Sequence, residues 1–178
     1  MEQVHSITIW LAKHTWAASW LEALAAVGGF YFLWRQLKNA RLALNADLLF
    51  RADERFNHMR KERKETAECL LSFVKGSKDD RADDVFDFLD TIGMFVRRKN
   101  LEQELSWSVF YWWVIGYWEA AQRCHYIESK REEYGEQTWK DCEILYNEIK
   151  RWEREDEPWK DEDIDSFLNK ERSLSIPS

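Results

Sequence analysis

No proline interrupts the chain before Pro158, and its six glycines (Gly28, Gly29, Gly76, Gly93, Gly116 and Gly135) are scattered through 178 residues. Hairpins depend on Gly, Pro and Asn-Gly turn chemistry. A chain this poor in turn residues is expected to be all-α, helices joined by short loops. The length suits one domain, or one domain plus an anchor, with a sizeable buried core.

A long run with a single charge predicts the anchor. In "TWAASWLEALAAVGGFYFLWRQLK" the nineteen residues from Trp16 to Trp34 carry one charge, Glu22. Their eighteen steps cover about 27 Å of helix, close to the ~30 Å hydrocarbon thickness of a bilayer. Trp16 and Trp20 stand at one edge and Tyr31 and Trp34 at the other, followed by Arg35, Lys38 and Arg41. Aromatic ends with a one-sided basic flank orient a single-pass span with its basic end in the cytoplasm. The expected layout is a short external N-terminus (1–14), a transmembrane helix (15–35) continuing into a stalk, a cytosolic helical bundle (36–157) and an acidic tail (158–178). The expected location is the inner (cytoplasmic) membrane, with membrane lipids as partners. A buried helix of a soluble protein is the competing reading of the run.

Glu22 bears on how the anchor packs, because an acid inside a spanning helix faces protein or water more often than lipid. It shares one helical face with Ala18, Ala25, Ala26 and Gly29. Ala25-x-x-x-Gly29 is a small-residue spacing that lets two backbones approach closely. A homo-oligomer held in part by this face is therefore expected. The alternative places Glu22 among the outer headgroups, within reach of water.

Charge and composition exclude several function classes. The net charge is −7, yet Arg35 to Lys64 holds nine basic residues against four acids, while the chain from Glu128 onward holds sixteen acids against nine bases. Nucleic-acid binding by the whole chain is thereby disfavoured, and a basic stretch meeting an anionic surface stays open. Cys69, Cys124 and Cys142 are odd in number and lack CxxC spacing, which fits a reducing compartment. No HExxH, Gly-rich phosphate loop or G-x-S-x-G occurs, and the four histidines are dispersed. Neither a metal site nor a cofactor is expected.

Beyond the anchor, the helix is expected to continue through Gln36–Arg55. A second stretch should end near Gly76, and a third over "DDRADDVFDFLDTIGMFVRRKN" should bury Val85, Phe86, Leu89, Ile92, Gly93 and Val96. "WSVFYWWVIGYW", Trp107 to Trp118, is twelve residues without a charge. At about 18 Å it is too short to cross a bilayer. A helix apolar on every side is expected at the centre of a bundle, with Gly116 admitting a close neighbour. Trp107, Phe110, Trp112, Trp113 and Trp118 form the aromatic core, or, where rings stay exposed, an oligomer or protein-partner surface. A last good helix should present Trp139, Cys142, Leu145, Tyr146, Ile149 and Trp152 on one face. The tail from Trp159 is expected to be loosely attached, with Ile164, Phe167 and Leu168 on one short turn.

"RADERFNH" places Arg51 and His58 with six residues between them, a spacing that resembles the signature of the helical HEPN ribonucleases. That resemblance implies His58 as general acid or base and Arg51 as phosphate holder. The competing reading is two solvated residues on a stalk. The "RQLKNARL" stalk, "DDVFDFLDTIGMFVRRKNLEQELSWSVF" and "YWE" at Tyr117–Glu119 together resemble an uncharacterised bacterial family of small membrane-anchored helical proteins carrying a domain of unknown function. The denser tryptophans at Trp112 and Trp113 depart from its pattern. That family implies an anchored cytosolic bundle and supplies no catalytic residues. The leading expectation is a membrane-anchored interaction or scaffold protein, within a stress or phage-defence system. The alternatives are the ribonuclease and a membrane-damaging effector acting through its anchor.

Overall fold

The computed structural model describes residues 15–153 and 159–176; within this range the side chains of residues 15–18, 21 and 153 fall outside the description. Among the described residues there are seven helices and no strand, so the protein is all-α. They are α1 (Thr15–His58), α2 (Arg60–Ser72), α3 (Asp83–Arg97), α4 (Gln103–Arg123), α5 (Tyr126–Tyr134), α6 (Lys140–Glu153) and α7 (Asp161–Arg172). Two compact units divide the chain at Leu44 and Asn45. In the first unit the described residues belong to α1 alone, while the second contains the last part of α1 and a bundle of α2 to α7.

Helix α1 continues past Arg35 without a break to His58, as its lack of breakers leads one to expect. The transmembrane expectation is not supported. Among the described residues, no helix is long and apolar enough to cross a membrane. Glu22, the Gly28-Gly29 pair and the polar ring edges of Trp20, Tyr31 and Trp34 dilute a run that its aliphatic residues alone would make strongly apolar.

In the second unit, α3 packs chiefly on α6 and α2 on α7, with α4 touching α3, α5, α6 and α7. Helix α3 opens on Asp83 and Asp84 and closes on Arg97, a charge order that suits the helix dipole. Its buried stripe is the expected one, with Phe88 added. Gly93 lies at the closest approach: a Cβ there would fall 2.3 Å from the backbone oxygen of Asp141 at the start of α6. Only a residue without a side chain lets these two backbones meet. Gly76, expected to cap α2, instead sits beyond it at φ +89° in the turn closed by Ser77 N–H donating to the Val74 carbonyl. Chain reversal before α6 uses Gly135 at φ +105°.

The largest departure from expectation is the C-terminal segment. It is no loose tail: α7 buries Ile164, Phe167, Leu168 and Glu171 in the common core. Gly116 explains how it fits. A Cβ at Gly116 would stand 2.7 Å from the Phe167 ring, so the glycine opens the notch in α4 that the ring fills. Phe167 then meets Tyr117 edge-on, with ring centroids 4.9 Å apart.

Candidate functional site

Buried charge makes the first candidate. Arg63 on α2 donates through Nε and Nη2 to Glu171 on α7 at 2.7 and 2.8 Å, and the Tyr117 hydroxyl donates to the same carboxylate at 2.6 Å. The guanidinium also lies over the rings of Phe56 and Trp113. Burial pushes the Tyr117 hydroxyl well above its ordinary value, and the neighbouring Glu171 carboxylate pushes it further. Burial alone would depress Arg63, but its bidentate pairing with Glu171 outweighs this and raises it. Each of the three groups finds its partner inside the fold.

Two further buried charges are satisfied in the same way. Glu119 accepts from Tyr146, Lys150 and the backbone N–H of Trp159, which joins α4 and α6 to the strand of chain leading into α7. Lys130 on α5 donates to Asp80 and Asp83, and Tyr126 donates to Asp83 as well. Burial, reinforced by Asp79, pushes the Cys69 thiol up to about 12, and burial pushes Cys142 well above its usual range. Unreactive thiols follow, since the thiolate is the nucleophile. All three cysteines are free. Among the described residues no group of His, Cys, Asp and Glu could hold a metal.

Arg51 and His58 come to rest on α1, two turns apart, with their side chains exposed. Arg51 Nε donates to Asp47 at 2.9 Å, and His58 lies 4.0 Å from Glu54. They line different depressions. Arg51 borders a groove of about 600 Å³ whose floor includes Met59, Phe88 and Ile92 and whose rim carries Glu62, Asp84 and Asp87. His58 borders another, with Asp53, Glu54 and Arg60. Glu62, Asp84 and Asp87 share the first groove with Arg51 and Arg55, and His58 is not part of its lining.

The aromatic residues of α4 separate by face. Trp107, Phe110, Gly116 and Trp118 are buried, Trp113 is half-buried against Phe56, and Trp112 is 44% exposed. Trp112 is held on one side by Trp159, at 4.8 Å between centroids, with Lys170 over its ring. One exposed ring tied to α7 is a small surface.

Uncovered apolar area concentrates on α1. Trp20 is 66% exposed, Val27 68%, Phe30 75% and Trp34 55%, and Leu24, Tyr31, Phe32, Leu33 and Leu37 are exposed as well. A Cβ at Gly28 or Gly29 would meet nothing within 4 Å. Ala25, Arg35 and Lys38 are exposed too, as is Glu22, which has no ion pair among the described residues. Lys38 Nζ stands 6.0 Å from the Trp34 ring centroid, and Tyr31 and Trp34 are 6.1 Å apart. The side chain of Trp16 lies outside the described residues. Isolated exposed leucines are ordinary, but a contiguous exposed patch of this kind marks a surface that meets lipid or protein.

Sequence reasoning singled out the α1 run and missed the buried charges. Arg63 sits in "RKERKE", where nothing distinguishes it from its solvated neighbours, and its partner is 108 residues away. For α7 a signal was present: Ile164, Phe167 and Leu168 follow the i, i+3, i+4 spacing of a buried helical stripe.

No protein-family model, curated protein or solved structure matches this chain.

Proposed function

We propose that the protein is a membrane-anchored helical interaction protein, oligomeric, with the first part of α1 seated in the inner membrane and the bundle on its cytoplasmic side. The observation that carries this reading is the apolar surface of α1 from Trp20 to Leu37, on which large side chains lie exposed and both glycines meet nothing. At about 25 cal/mol per Å² of apolar surface, leaving such a helix in water is costly, and lipid removes the cost along its whole circumference. A protein groove would cover one side only.

The shortfall in mean apolarity has a physical reading consistent with an anchor. Hydropathy treats Trp and Tyr as nearly polar, whereas both are favoured at the two membrane interfaces, and here they stand near the ends of the run. Glu22 lies close to one end, away from the bilayer centre where a charge costs most. Ala25 and Gly29 leave room for a second α1 to approach. The bundle, held by internally paired charges, suits a structural or scaffolding role.

Fractionation tests the reading. The full chain should remain in the membrane pellet after an alkaline carbonate wash, with the bundle open to protease only from the cytoplasmic side. Recovery in the carbonate supernatant overturns the anchor. In detergent, the chain should run as a defined oligomer that shifts toward monomer on Gly29→Leu, a change that keeps the helix apolar but blocks close approach. An unchanged oligomer overturns the role of that face.

A further inference from the structure

The same helix carries a second feature. Between Glu22 and Asp47 there is no acidic residue, while Arg35, Lys38 and Arg41 fall within that interval, in a chain whose net charge is −7. All three are exposed, and among the described residues none is in an ion pair. Tyr31, Trp34, Arg35 and Lys38 follow the i, i+3, i+4, i+7 spacing that puts side chains on one side of a helix, and Arg41 extends the row. Lys38 already leans over the Trp34 ring.

From these placements we infer that Arg35, Lys38 and Arg41 form a collar that binds anionic phospholipid headgroups, directly beyond the aromatic ring pair Tyr31 and Trp34. This rests on the lipid-seated reading of α1 and adds to it the class of lipid. Arg35 to Arg41 rises about 9 Å along the helix, comparable to the headgroup layer that flanks the hydrocarbon. Guanidinium and ammonium groups at that level meet phosphates, and the absence of nearby carboxylates leaves their charge uncompensated. Electrostatics also decides the choice of surface. An acidic protein is repelled as a whole by an anionic membrane, whereas this stretch of α1 offers three exposed cations without interspersed acids. A neutral membrane would reward the apolar residues equally and give the collar nothing. Each Lys or Arg close to an anionic leaflet strengthens partitioning about five-fold.

The test uses the full chain, synthesised cell-free in the presence of vesicles and separated by flotation. One set of vesicles is phosphatidylcholine alone, and the other is rich in phosphatidylglycerol. The wild type should partition more strongly onto the anionic vesicles, and the triple variant Arg35→Gln, Lys38→Gln, Arg41→Gln should lose on the order of 100-fold of that preference. About 1 M salt, where the Debye length is about 3 Å, should shrink the difference. The three side chains are exposed, so the variant should keep the wild-type helical circular dichroism, and Leu24→Gln with Phe30→Gln should weaken capture on both vesicle types. Equal partitioning of wild type and triple variant on both vesicles overturns the collar and leaves the anchor standing. Failure to float with either vesicle overturns both. Binding of a single-stranded RNA oligonucleotide that is tighter than binding to the anionic vesicles, and lost in the triple variant, reassigns the collar away from lipid.

Discussion

Four helical glycines show how differently the two parts of this molecule are built. At Gly93 an added methyl would run into the backbone of Asp141, and at Gly116 into the ring of Phe167; at Gly28 and Gly29 it would meet empty space. In the bundle, glycine marks where helices touch most closely. In the first part of α1 it marks backbone with open space beside it. One region is stabilised by what the chain brings to itself, and the other exposes apolar surface that its own fold does not cover.

The buried charges of the bundle offer the strongest way to break that contrast. Glu171→Ala leaves Arg63 buried and unpaired, and removing one member of a buried pair costs about 3–5 kcal/mol. Chemical unfolding of the full chain in detergent should register a loss of that size; a loss below about 1 kcal/mol, typical of an exposed pair, would mean that α7 is not seated as described. Next comes Gly93→Ala. Overpacking costs about 1–3 kcal/mol, and a clash with backbone puts this variant at the upper end.

The third lever is alkaline pH. Tyr117 and Tyr126 are held above the ordinary tyrosine value, first by burial and then by Glu171 and Asp83 respectively. A group whose folded value is raised stabilises the fold fully below its unfolded value, about 10, and loses that contribution as pH climbs beyond it. The buried thiols Cys69 and Cys142 follow the same rule from the ordinary thiol value, about 8.5, so stability should begin to fall there and should fall by about a further 1.4 kcal/mol per pH unit for each tyrosine above about pH 10. Tyr117→Phe should make the fall shallower; an unaltered slope would show that Tyr117 is not buried in its neutral form. The smallest effect sharpens the comparison from the other side. Gly28→Ala meets nothing and should leave bundle stability unchanged while favouring helix locally by up to about 1 kcal/mol. A destabilisation matching that of Gly93→Ala would place an unrecognised neighbour against Gly28.

The helical character of the chain was legible in its lack of proline and turn glycine, and the α3 stripe was legible in its spacing. Both depend on local backbone preference and on one face of one helix. The C-terminal helix was harder. Asp161, Glu162, Asp163 and Asp165 surround its three apolar residues, and a segment so acidic reads as solvated until a partner surface is known. That surface is the notch at Gly116 together with Arg63, two features far apart in sequence. The exposed run of α1 was also visible from composition, while its hydropathy falls short of a span because aromatic and small residues replace aliphatic ones.

Taken alone, the order of residues determined the helices, the stretch with a single charge in the first of them, the basic residues that follow and the absence of known catalytic or metal-ligating motifs, since each of these is a matter of neighbours along the chain. Tertiary structure alone decided which charges are buried, that Trp112 stays partly exposed while Trp118 does not, that Arg51 and His58 border different depressions, and that the last helix belongs to the core. Those outcomes depend on which distant side chains arrive at the same place, and burial is a property of the assembled packing that no local spacing encodes.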